Sequence, residues 1–373
     1  MKQLIINKND LRHNINIIKK LANLDTPNDN GQKYKIIGVV KGNGYGLGAI
    51  EYSKFLIDNG IEMLAIATLE EGLLLREAGI KENILMLSGT SDEEEIKGLI
   101  QNDIILTLGS VESVKIADNL AMELNKNVRA HIKIDTGFGR YGFIYSDIKT
   151  IVETIKNIKN IKIEGMYSHF SIAYYKKNKW TIEQFNRFMS LVETLKLNDI
   201  NIDMLHICNS PGFLNYPSMH LNAARIGSAF LGRVNCENPV GLKKIGQIET
   251  NITEIKTVPK GYTIGYLNSY KTKKETKMAI VQFGYMEGYN VGKRQDMFRL
   301  VDRLRDISDA IKSLFKKQTL TVIIHNKRYN IIGKSGMYHL AIDITGSDIK
   351  TNDIVRIDVN PLYVNSKVRR EYI

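Results

Sequence analysis

Residues 36–68 read IIGVVKGNGYGLGAIEYSKFLIDNGIEMLAIAT, and this stretch shows the pattern that decides the fold. The runs IIGVVK (36–41) and MLAIAT (63–68) have the length and the apolar content of buried strands. Between them, AIEYSKFLIDNG places its apolar residues at helical spacing. A strand, a helix and a second strand in this order predict parallel strands whose faces are covered by helices.

Six further apolar runs repeat this pattern along the first two thirds of the chain. They are ILMLSG (84–89), IILTL (104–108), VRAHIKID (128–135), KIEGMYSHF (162–170), MLHICNS (204–210) and AARIGSAFLG (223–232). With the first two they make eight units in about 200 residues, which fit a closed barrel better than an open doubly wound sheet, although periodicity alone is compatible with both. We therefore predict an α/β fold whose first domain, residues 12–240, is a (β/α)8 TIM barrel.

A different pattern begins after about residue 240. The runs there alternate apolar with polar residues, as antiparallel strands with one solvated face do: IGQIETNITEIKTV, MAIVQFG, LTVIIHN, YNIIGKSG, LAIDIT and IVRIDV. One segment with helical periodicity, residues 296–317, interrupts them. We predict that residues 241–373 form a C-terminal, mainly antiparallel β domain, to which about residues 1–11 add a strand.

Composition indicates a globular protein. The chain has 373 residues, 43% of them hydrophobic, which is enough for a barrel with a second domain. Its two cysteines, Cys208 and Cys236, are too few for a disulfide framework, and MKQLIINKND lacks the apolar stretch of a signal peptide. No run of about 18 apolar residues suggests a membrane span. These features predict a cytoplasmic protein with no membrane partner.

The net charge of +12 is concentrated near the C-terminus, because residues 251–373 contain 22 Lys and Arg against 12 Asp and Glu. Acidic residues alternate with the basic ones in stretches such as RLVDRLRDISD, and aromatic residues do not interleave with them as a base-stacking surface requires. This pattern favours a solvated basic surface over attraction of small anions, and both over nucleic acid. We expect no nucleic-acid partner.

The loop after the first run, VVKGNGYGLG (39–48), contains a lysine followed by four glycines and a tyrosine. A partly desolvated amine such as that of Lys41 can form a Schiff base with a carbonyl. The glycines allow backbone N–H groups to approach a phosphate closely. The loop can therefore hold a phosphorylated carbonyl cofactor, although a lysine before a glycine-rich turn is more often a solvated loop residue.

Polar residues also follow the other predicted strands, at the barrel end where enzymes of this fold place their chemistry. They are Lys41, Lys133, Arg140, Ser168, His169, Asn209, Ser210, Arg225 and the Gly227-Ser228 pair. Each has a simple structural explanation, such as a packed histidine, an ion-pair partner or a turn. Their recurrence at one rim favours a single site, and the fold commonly binds phosphate in the loops after strands seven and eight.

Nine motifs together resemble the alanine racemase family of fold-type III pyridoxal-phosphate enzymes. In chain order they are VVKGNGYGLG, ATLEEGLLLREAG, HIKIDTGFGRYGF, GMYSHF, HICNSPG, AARIGSAFLG, PKGYTIGYLNSY, FGYMEGY and IIGKSGMYHLAIDIT. The resemblance covers nearly the whole chain. It implies a barrel followed by a β domain, pyridoxal 5'-phosphate as the cofactor, a small amino acid as the substrate, and a homodimer with shared active sites.

The resemblance also implies a role for each cofactor-site residue. Lys41 matches the lysine that holds pyridoxal phosphate, Arg225 matches the arginine at the pyridine nitrogen, and His169 is its orienting neighbour. The positions that match the phosphate site are Tyr45, Asn209, Ser210, Gly227 and Ser228. Because arginine stays protonated, it should leave the pyridine nitrogen without a proton and make the cofactor a weaker electron sink.

Racemisation requires a base on each face of the substrate Cα. By resemblance, Lys41 is one base, and Tyr266 is the other and reaches the site from the partner subunit. Arg140 resembles the residue that binds the substrate carboxylate or steadies the tyrosine base, and Met337 resembles one whose backbone N–H contacts the substrate carboxylate. Lys133 occupies a position that some members carbamylate. The resemblance implies no metal site.

Several positions toward the substrate entrance depart from the family pattern: Leu47, Leu267, Met286, Glu287 and Tyr338. The C-terminal stretch LYVNSKVRREYI also departs, because it lacks the usual tyrosine of the family. Ser366 lies nearest that position, and Tyr363 is a candidate substitute. A pocket discriminates a methylene by only about 1–3 kcal/mol, so these changes could admit serine, lysine or ornithine. Alanine is the expected substrate. The alternatives are another or broader amino-acid set, a fold-type III decarboxylase and a non-catalytic pyridoxal-phosphate-binding protein.

Overall fold

A computed structural model of the chain describes residues 2–23, 33–236, 240–292, 300–315 and 320–373. The chain divides into two compact units. One contains Asn9–Lys244, and the other combines Met1–Lys8 with Ile245–Ile373.

The first unit is built from parallel strands. The first strand of the chain, β1 (Gln3–Ile6), belongs to the second unit. The strands of the first unit are β2 (Lys35–Val39), β3 (Met63–Ile66), β4 (Asn83–Met86), β5 (Leu106–Leu108), β6 (Val128–Asp135), β7 (Phe143–Ile144), β8 (Ile161–Tyr167), β9 (Met204–His206) and β10 (Ala223–Ile226). All eight predicted runs contain a strand, and sequence patterning missed only the short β7, which pairs with β6.

The strands of the first unit form a nearly closed barrel. Their order is β4-β3-β2-β10-β9-β8-β6-β5, and a parallel bridge between Leu85 and Ile105 joins the two ends. The helices of this unit are α1 (Lys8–Leu21), α2 (Lys41–Tyr45), α3 (Ala49–Asp58), α4 (Leu69–Glu77), α5 (Glu93–Gln101), α6 (Val111–Glu123), α7 (Ile148–Lys156), α8 (Lys179–Leu197) and α9 (Ser210–Asn215). The predicted (β/α)8 barrel is confirmed.

Local sequence explains where many of these helices begin. The side chain that precedes α4, α5, α6, α7, α8 or α9 accepts a hydrogen bond from a backbone N–H of the first turn, and these caps are Thr68, Asp92, Ser110, Asp147, Asn178 and Asn209. Such caps satisfy donors that have no partner inside the helix. Each cap follows a barrel strand or a loop and therefore fixes where the chain turns back over the barrel.

The barrel interior is apolar toward the helices and partly polar at its centre. The strands β3 and β10 are buried along their whole length, as strands covered on both faces should be. Along β6, however, side-chain alternation places Arg129, His131, Lys133 and Asp135 on one face, and the last three are buried. This polar face supplies several residues of the candidate site.

The second unit is mainly antiparallel, as predicted. Its further strands are β11 (Gln247–Val258), β12 (Thr263–Ile264), β13 (Tyr270–Lys271), β14 (Thr276–Val281), β15 (Thr321–Ile324), β16 (Lys327–Ile332), β17 (Leu340–Asp343), β18 (Ile354–Asp358) and β19 (Arg369–Tyr372). Eight strands form one sheet in the order β14-β17-β16-β15-β18-β11-β1-β19, in which β1 pairs antiparallel with β11 and parallel with β19. The strands β12 and β13 form a separate hairpin.

The predicted helical segment, residues 296–317, contains α10 (Leu300–Phe315). Residues 296–299 and 316–317 of that prediction lie outside the described residues. Among the helices of the described residues, none combines the length and the apolar content needed to cross a lipid bilayer.

Candidate active site

The loop that follows β2 forms a left-handed turn. Gly42, Asn43, Gly44 and Tyr45 have φ values of 64°, 53°, 62° and 53°. Glycine adopts this conformation without strain and asparagine tolerates it, whereas most L-residues avoid it. The Asn43 side chain accepts a hydrogen bond of 2.9 Å from Ala49 N–H and ties the turn to α3. The turn is the short segment α2 (Lys41–Tyr45), which begins at Lys41 and is left-handed from Gly42 onward rather than an ordinary helix.

The Lys41 amine lies in an environment that favours its neutral form. Partial burial lowers the pKa of Lys41, and the nearby positive charges of Arg140 and Arg225 lower it further, whereas Glu71 opposes them. A neutral amine is the nucleophilic form required for Schiff-base formation. The geometry therefore suits Lys41 to covalent attachment of a carbonyl group.

Glu71 links the lysine loop to the next βα unit. Its Oε1 atom accepts a 2.6 Å hydrogen bond from Gly42 N–H, and its Oε2 atom accepts one of 2.9 Å from Ala67 N–H. Sequence analysis assigned Glu71 no role. The spacing of Thr68 and Glu71 is that of a helix capping box, which was the available signal, but the carboxylate bonds to two other residues.

Tyr45, Ser210 and Gly227, which follow β2, β9 and β10, come together at one end of the barrel. Ser210 Oγ accepts hydrogen bonds from Gly227 N–H at 3.1 Å and Ala229 N–H at 3.2 Å. A Cβ atom at Gly227 would lie 2.5 Å from Tyr45 Oη, so glycine leaves the space that the phenol fills. Burial raises the pKa of Tyr45 to about 12, which keeps the phenol protonated and able to donate. These hydroxyl groups and the adjacent Ser228 suit a phosphate.

Arg225 is buried in β10 and held from several directions. Its Nη2 atom donates to the carbonyl oxygen of Ser168 at 2.7 Å and to that of Ile207 at 3.1 Å, and lies 3.2 Å from His169 Nδ1. Its Nη1 atom lies 2.6 Å from His206 Nδ1. Burial lowers the pKa of Arg225 to about 10, which leaves the guanidinium charged at neutral pH. The predicted contact with His169 is present, and His206 is a shorter one.

His206 and Tyr167 are site residues that sequence analysis missed. The Tyr167 ring stacks on the His206 ring with centroids 4.7 Å apart. Tyr167 Oη lies 2.8 Å from Thr107 Oγ1 and donates to the Leu87 carbonyl oxygen at 3.2 Å. The strand motifs GMYSHF and HICNSPG contain both residues, but which aromatic rings stack across a barrel depends on the register of β8 and β9.

Lys133 is buried beside these rings, with its Nζ atom 4.1 Å from the Tyr167 ring centroid. Burial lowers the pKa of Lys133 well below its usual value, and the charges of Arg225 and Arg140 lower it further, whereas Asp135 opposes them. The Lys133 ammonium therefore loses its proton more readily than that of a solvated lysine. Lys133 thus lies near Arg225 and Arg140, which were predicted at the same rim of the barrel.

Asp135 shapes the loop that carries Arg140. Its Oδ1 atom accepts backbone hydrogen bonds from Gly137 and Phe138, and its Oδ2 atom accepts from Gly139 and Arg140, with distances of 2.8 to 3.1 Å. The Arg140 guanidinium lies 4.4 Å from the Phe138 ring centroid and is exposed. Asp135 was missed as a site residue, although an aspartate that opens a glycine-rich loop is a known turn signal.

Tyr266 and Met337 lie in the second unit. Both line a cavity of about 610 Å³ within that unit, and their exposed fractions are 66% and 44%. Leu267, which follows Tyr266, has a φ of 60° and is 84% exposed. Leu267 is thus left-handed, which is the conformation that favours glycine.

Among the residues that depart from the family pattern, Leu47 differs because its side chain is fully buried.

Among the described residues, no group of three or more His, Cys, Asp or Glu side chains could hold a metal ion.

A closed parallel barrel with a lysine loop at the end of its first strand, combined with a mainly antiparallel β unit, defines a two-domain barrel fold. Family models of the alanine racemase N-terminal and C-terminal domains match residues 6–234 and 245–361. The chain belongs to the alanine racemase family.

Curated relatives and solved structures agree with the family models. The chain is 32% identical over 355 residues to the alanine racemase of Methanococcus maripaludis, and the aligned region covers 93% of this chain and 86% of the relative. It is 32% identical over 357 residues to that of Clostridium novyi, with 94% and 84% covered. The structure of the Clostridium difficile 630 alanine racemase superposes with a TM-score of 0.83 at 27% identity and covers 100% of this chain and 95% of that chain.

Proposed function

We propose that the protein is a pyridoxal-phosphate-dependent racemase that interconverts L- and D-alanine by a two-base mechanism. Lys41 is the base on one face of the substrate Cα, and Tyr266 of the partner subunit is the base on the other. Family membership supports the isomerase class and the substrate. The observation that supports this reaction type most directly is Arg225, a buried, charged guanidinium at the position that matches the partner of the cofactor's pyridine nitrogen. An enzyme that uses the cofactor as a strong electron sink, such as a decarboxylase, has a carboxylate there instead.

The residues of the barrel fit the cofactor that the family implies. Lys41 would hold its carbonyl carbon, and Arg225 would donate to its ring nitrogen. Its phosphate would contact Tyr45, Ser210, Gly227 and Ser228, with Asn209 capping the helix beside them. When bound, pyridoxal 5'-phosphate withdraws electrons from the substrate Cα and makes its proton acidic.

The proton transfers are assigned to side chains of the protein. On one face Lys41 removes the Cα proton as the free amine or returns one as the ammonium, and on the opposite face Tyr266 removes it as the phenolate or returns one as the phenol. The Arg140 guanidinium binds the substrate carboxylate, and Met337 N–H adds a second donor. Two groups on opposite faces invert the configuration, whereas a single group would return the proton to the same face.

Lys133 is assigned a supporting role beside Arg140. Its burial and its cationic neighbours favour the neutral amine, which is the form that reacts with carbon dioxide. In that reaction a nitrogen–carbon bond forms and one proton leaves, so that an uncharged amine becomes a carbamate anion. An anion here would orient Arg140 for the substrate carboxylate. We therefore propose that Lys133 is carbamylated, as in some members of the family.

The homodimer is supported by the surface of the second unit. Large apolar or aromatic side chains there are exposed around Tyr266: Tyr262, Leu267, Tyr285, Met286, Met337 and Tyr338. Clustered exposed side chains of this kind mark interaction surfaces. A second copy that covers them would bring Tyr266 to the barrel of the partner.

A broader amino-acid set is the second candidate for the substrate. Two residues that depart from the family pattern favour this candidate. Tyr338 lines the Tyr266 cavity, and Leu267 directly follows Tyr266 in the chain. Substitutions at a substrate entrance alter the side chains that a pocket admits more than they alter the reaction.

The test is incubation of the purified holoprotein with each L-amino acid in deuterated water. Loss of the Cα proton is followed by NMR and inversion by optical rotation. We expect both with L-alanine, and a reduction in racemisation of about 100-fold or more in Tyr266→Phe. The matched control, Tyr262→Phe, changes a neighbouring exposed tyrosine and should retain activity. Exchange without inversion in the wild type would contradict the assignment of Tyr266, and release of an amine would indicate a decarboxylase.

Mixing subunits tests the shared active site. Lys41→Ala and Tyr266→Phe subunits are each inactive alone, but a mixed dimer regains one site that contains both bases. Activity after mixing supports donation of Tyr266 by the partner. Its absence, with mixed dimers demonstrated by mass, would place both bases in the same subunit.

A further inference from the structure

The barrel has a second cavity, at the end of the strands opposite to Lys41. It has a volume of about 360 Å³ and is lined by residues from the start or lower part of several strands, including Lys35 of β2, Met63 of β3, Asn83 of β4 and Met204 of β9. Lys41 follows the other end of β2. None of the roles discussed above uses this cavity.

His131 is the buried wall of this cavity. It is fully buried on β6, and its register partner on β8 is Gly165. A Cβ atom at Gly165 would lie 2.7 Å from the imidazole ring, so only glycine leaves room for it. The ring is thus held in place by the backbone of the neighbouring strand.

The hydrogen-bond chain from Arg225 fixes the tautomer of His131. A guanidinium only donates, so His206 Nδ1, 2.6 Å from Arg225 Nη1, is an acceptor. Burial and the charge of Arg225 lower the pKa of His206 well below its usual value, and the neutral ring carries its proton on Nε2. That N–H donates to His131 Nδ1 at 2.9 Å. Burial lowers the pKa of His131 to about 3, so its single proton is on Nε2.

The His131 Nε2–H group has no hydrogen-bond partner among the described residues, although it is buried. A buried donor without an acceptor destabilises the folded state. Because the nitrogen carries a proton, it cannot ligate a metal cation, and any group that binds it must be an acceptor. The cavity is several times larger than the volume of about 30 Å³ that one water occupies in the liquid.

The charges around His131 favour an anion as that acceptor. Arg225, Lys35 and Arg129 each lower the pKa of His131, so the field at the ring is positive. Lys19 and Lys33 also line the cavity. Two acids line it as well, but Glu164 lies 3.1 Å from Lys162 and 3.9 Å from Arg129, and Glu62 is exposed.

We propose that this cavity binds a small oxyanion, a carboxylate or a phosphate, through the His131 Nε2–H group and the Lys35 ammonium. The site is at the opposite end of the barrel from the substrate and is independent of the racemase assignment. One oxygen of the ligand accepts from the imidazole, and the rest of the ligand faces the lysines at the mouth.

The test is NMR of the holoprotein labelled with ¹⁵N in its histidine rings, titrated separately with acetate and with inorganic phosphate at constant ionic strength. The His131 Nε2–H signal is identified by its absence from His131→Phe. We expect a saturable shift of this signal with at least one anion. Lys35→Gln should weaken binding about two- to fivefold, and the matched control Lys20→Gln, on an exposed residue beside Lys19, should not.

The two titrations identify the chemistry, because a shift with acetate alone indicates a carboxylate site and one with phosphate alone a phosphate site. No saturable shift with either anion would overturn the proposal and indicate that water satisfies the donor. A shift that Lys35→Gln leaves unchanged would also overturn it, by placing the anion elsewhere.

Discussion

Gly42 donates its backbone N–H to Glu71 Oε1 across 2.6 Å, although the two residues belong to successive βα units of the barrel. The other carboxylate oxygen binds Ala67 N–H at the end of β3. One side chain therefore determines how the loop of Lys41 sits against the neighbouring strand, and Lys41 depends on a residue that need not touch the substrate.

Replacing Glu71 by alanine should destabilise this loop. Glu71→Ala removes the acceptor of two backbone N–H groups, one of them exposed to water, and should lower the free energy of unfolding by about 0.5–1.5 kcal/mol, with a fall in kcat. Glu71→Gln keeps one acceptor oxygen and should cost less. Urea denaturation and steady-state kinetics measure both. Glu77→Ala, on an exposed side chain at the other end of α4, is the control, and an equal loss in it would refute the role of Glu71.

Substitution of Gly165 should expose the packing of His131. In Gly165→Ala the new Cβ lies 2.7 Å from the imidazole, and the collision should lower the free energy of unfolding by about 1–3 kcal/mol. The double variant with His131→Ala should recover part of that loss, because the ring is gone. Gly292→Ala adds a Cβ that meets no atom within 4 Å and serves as the control. Additive losses in the double variant would argue against the contact.

Leu267→Gly should stabilise the second unit. Leu267 has a φ of 60°, a conformation that costs an L-residue about 1–2 kcal/mol, and its side chain is 84% exposed. Asn268→Gly changes the next residue, which has a φ of 51°, but asparagine tolerates this region and the gain should be smaller. Thermal denaturation of the two variants compares them. A lower Tm for Leu267→Gly would mean that the leucine is stabilised by packing against a partner.

Asp135→Asn should raise KM for the substrate more than it lowers kcat. The carboxylate accepts four backbone N–H groups in the loop of Arg140, and the amide replaces one acceptor oxygen with a donor. We expect kcat/KM to fall about tenfold, which corresponds to about 1.4 kcal/mol. Asp147→Asn alters the exposed cap of α7 and is the matched control. An unchanged KM would show that Arg140 is held by other contacts.

The buried histidines should make the barrel sensitive to acid. Burial lowers the pKa of His131 to about 3 and those of His169 and His206 well below their usual value. Below about pH 6.5 the unfolded chain therefore binds protons that the folded barrel does not, and stability falls by about 1.4 kcal/mol per pH unit for each such histidine.

Urea midpoints between pH 7 and pH 5 measure this dependence. His131→Phe removes one of these groups and should reduce the slope. Equal slopes in the wild type and His131→Phe would contradict a neutral, buried His131.

The strands could be predicted from sequence because buried parallel strands are short apolar runs, and each predicted run contains one. Lys41 and Arg225 could be placed at the rim because they lie at or just beyond strand ends, where chain position alone determines location. The contact between Arg225 and His169 was implied by the family resemblance, because strand ends alone place both residues only at the same rim.

The partners that link these residues could not be predicted in the same way. His131, His206 and Tyr167 meet only because β6, β8 and β9 are adjacent in one particular register. Asp135 and Glu71 act on backbone groups, which a sequence pattern does not display. The ends of strands are therefore easier to predict from the sequence than the side-chain contacts across the barrel.

The left-handed turn at residues 42–45 has a stereochemical consequence. Its backbone angles are the mirror image of an ordinary helix, so at Gly42 a residue of D-configuration would adopt its own preferred geometry. Chemical ligation that introduces D-alanine there would stiffen the peptide beside Lys41, and L-alanine at the same position would strain it. This member of the alanine racemase family thus contains a backbone position, Gly42, that suits a D-alanine residue better than an L-alanine residue.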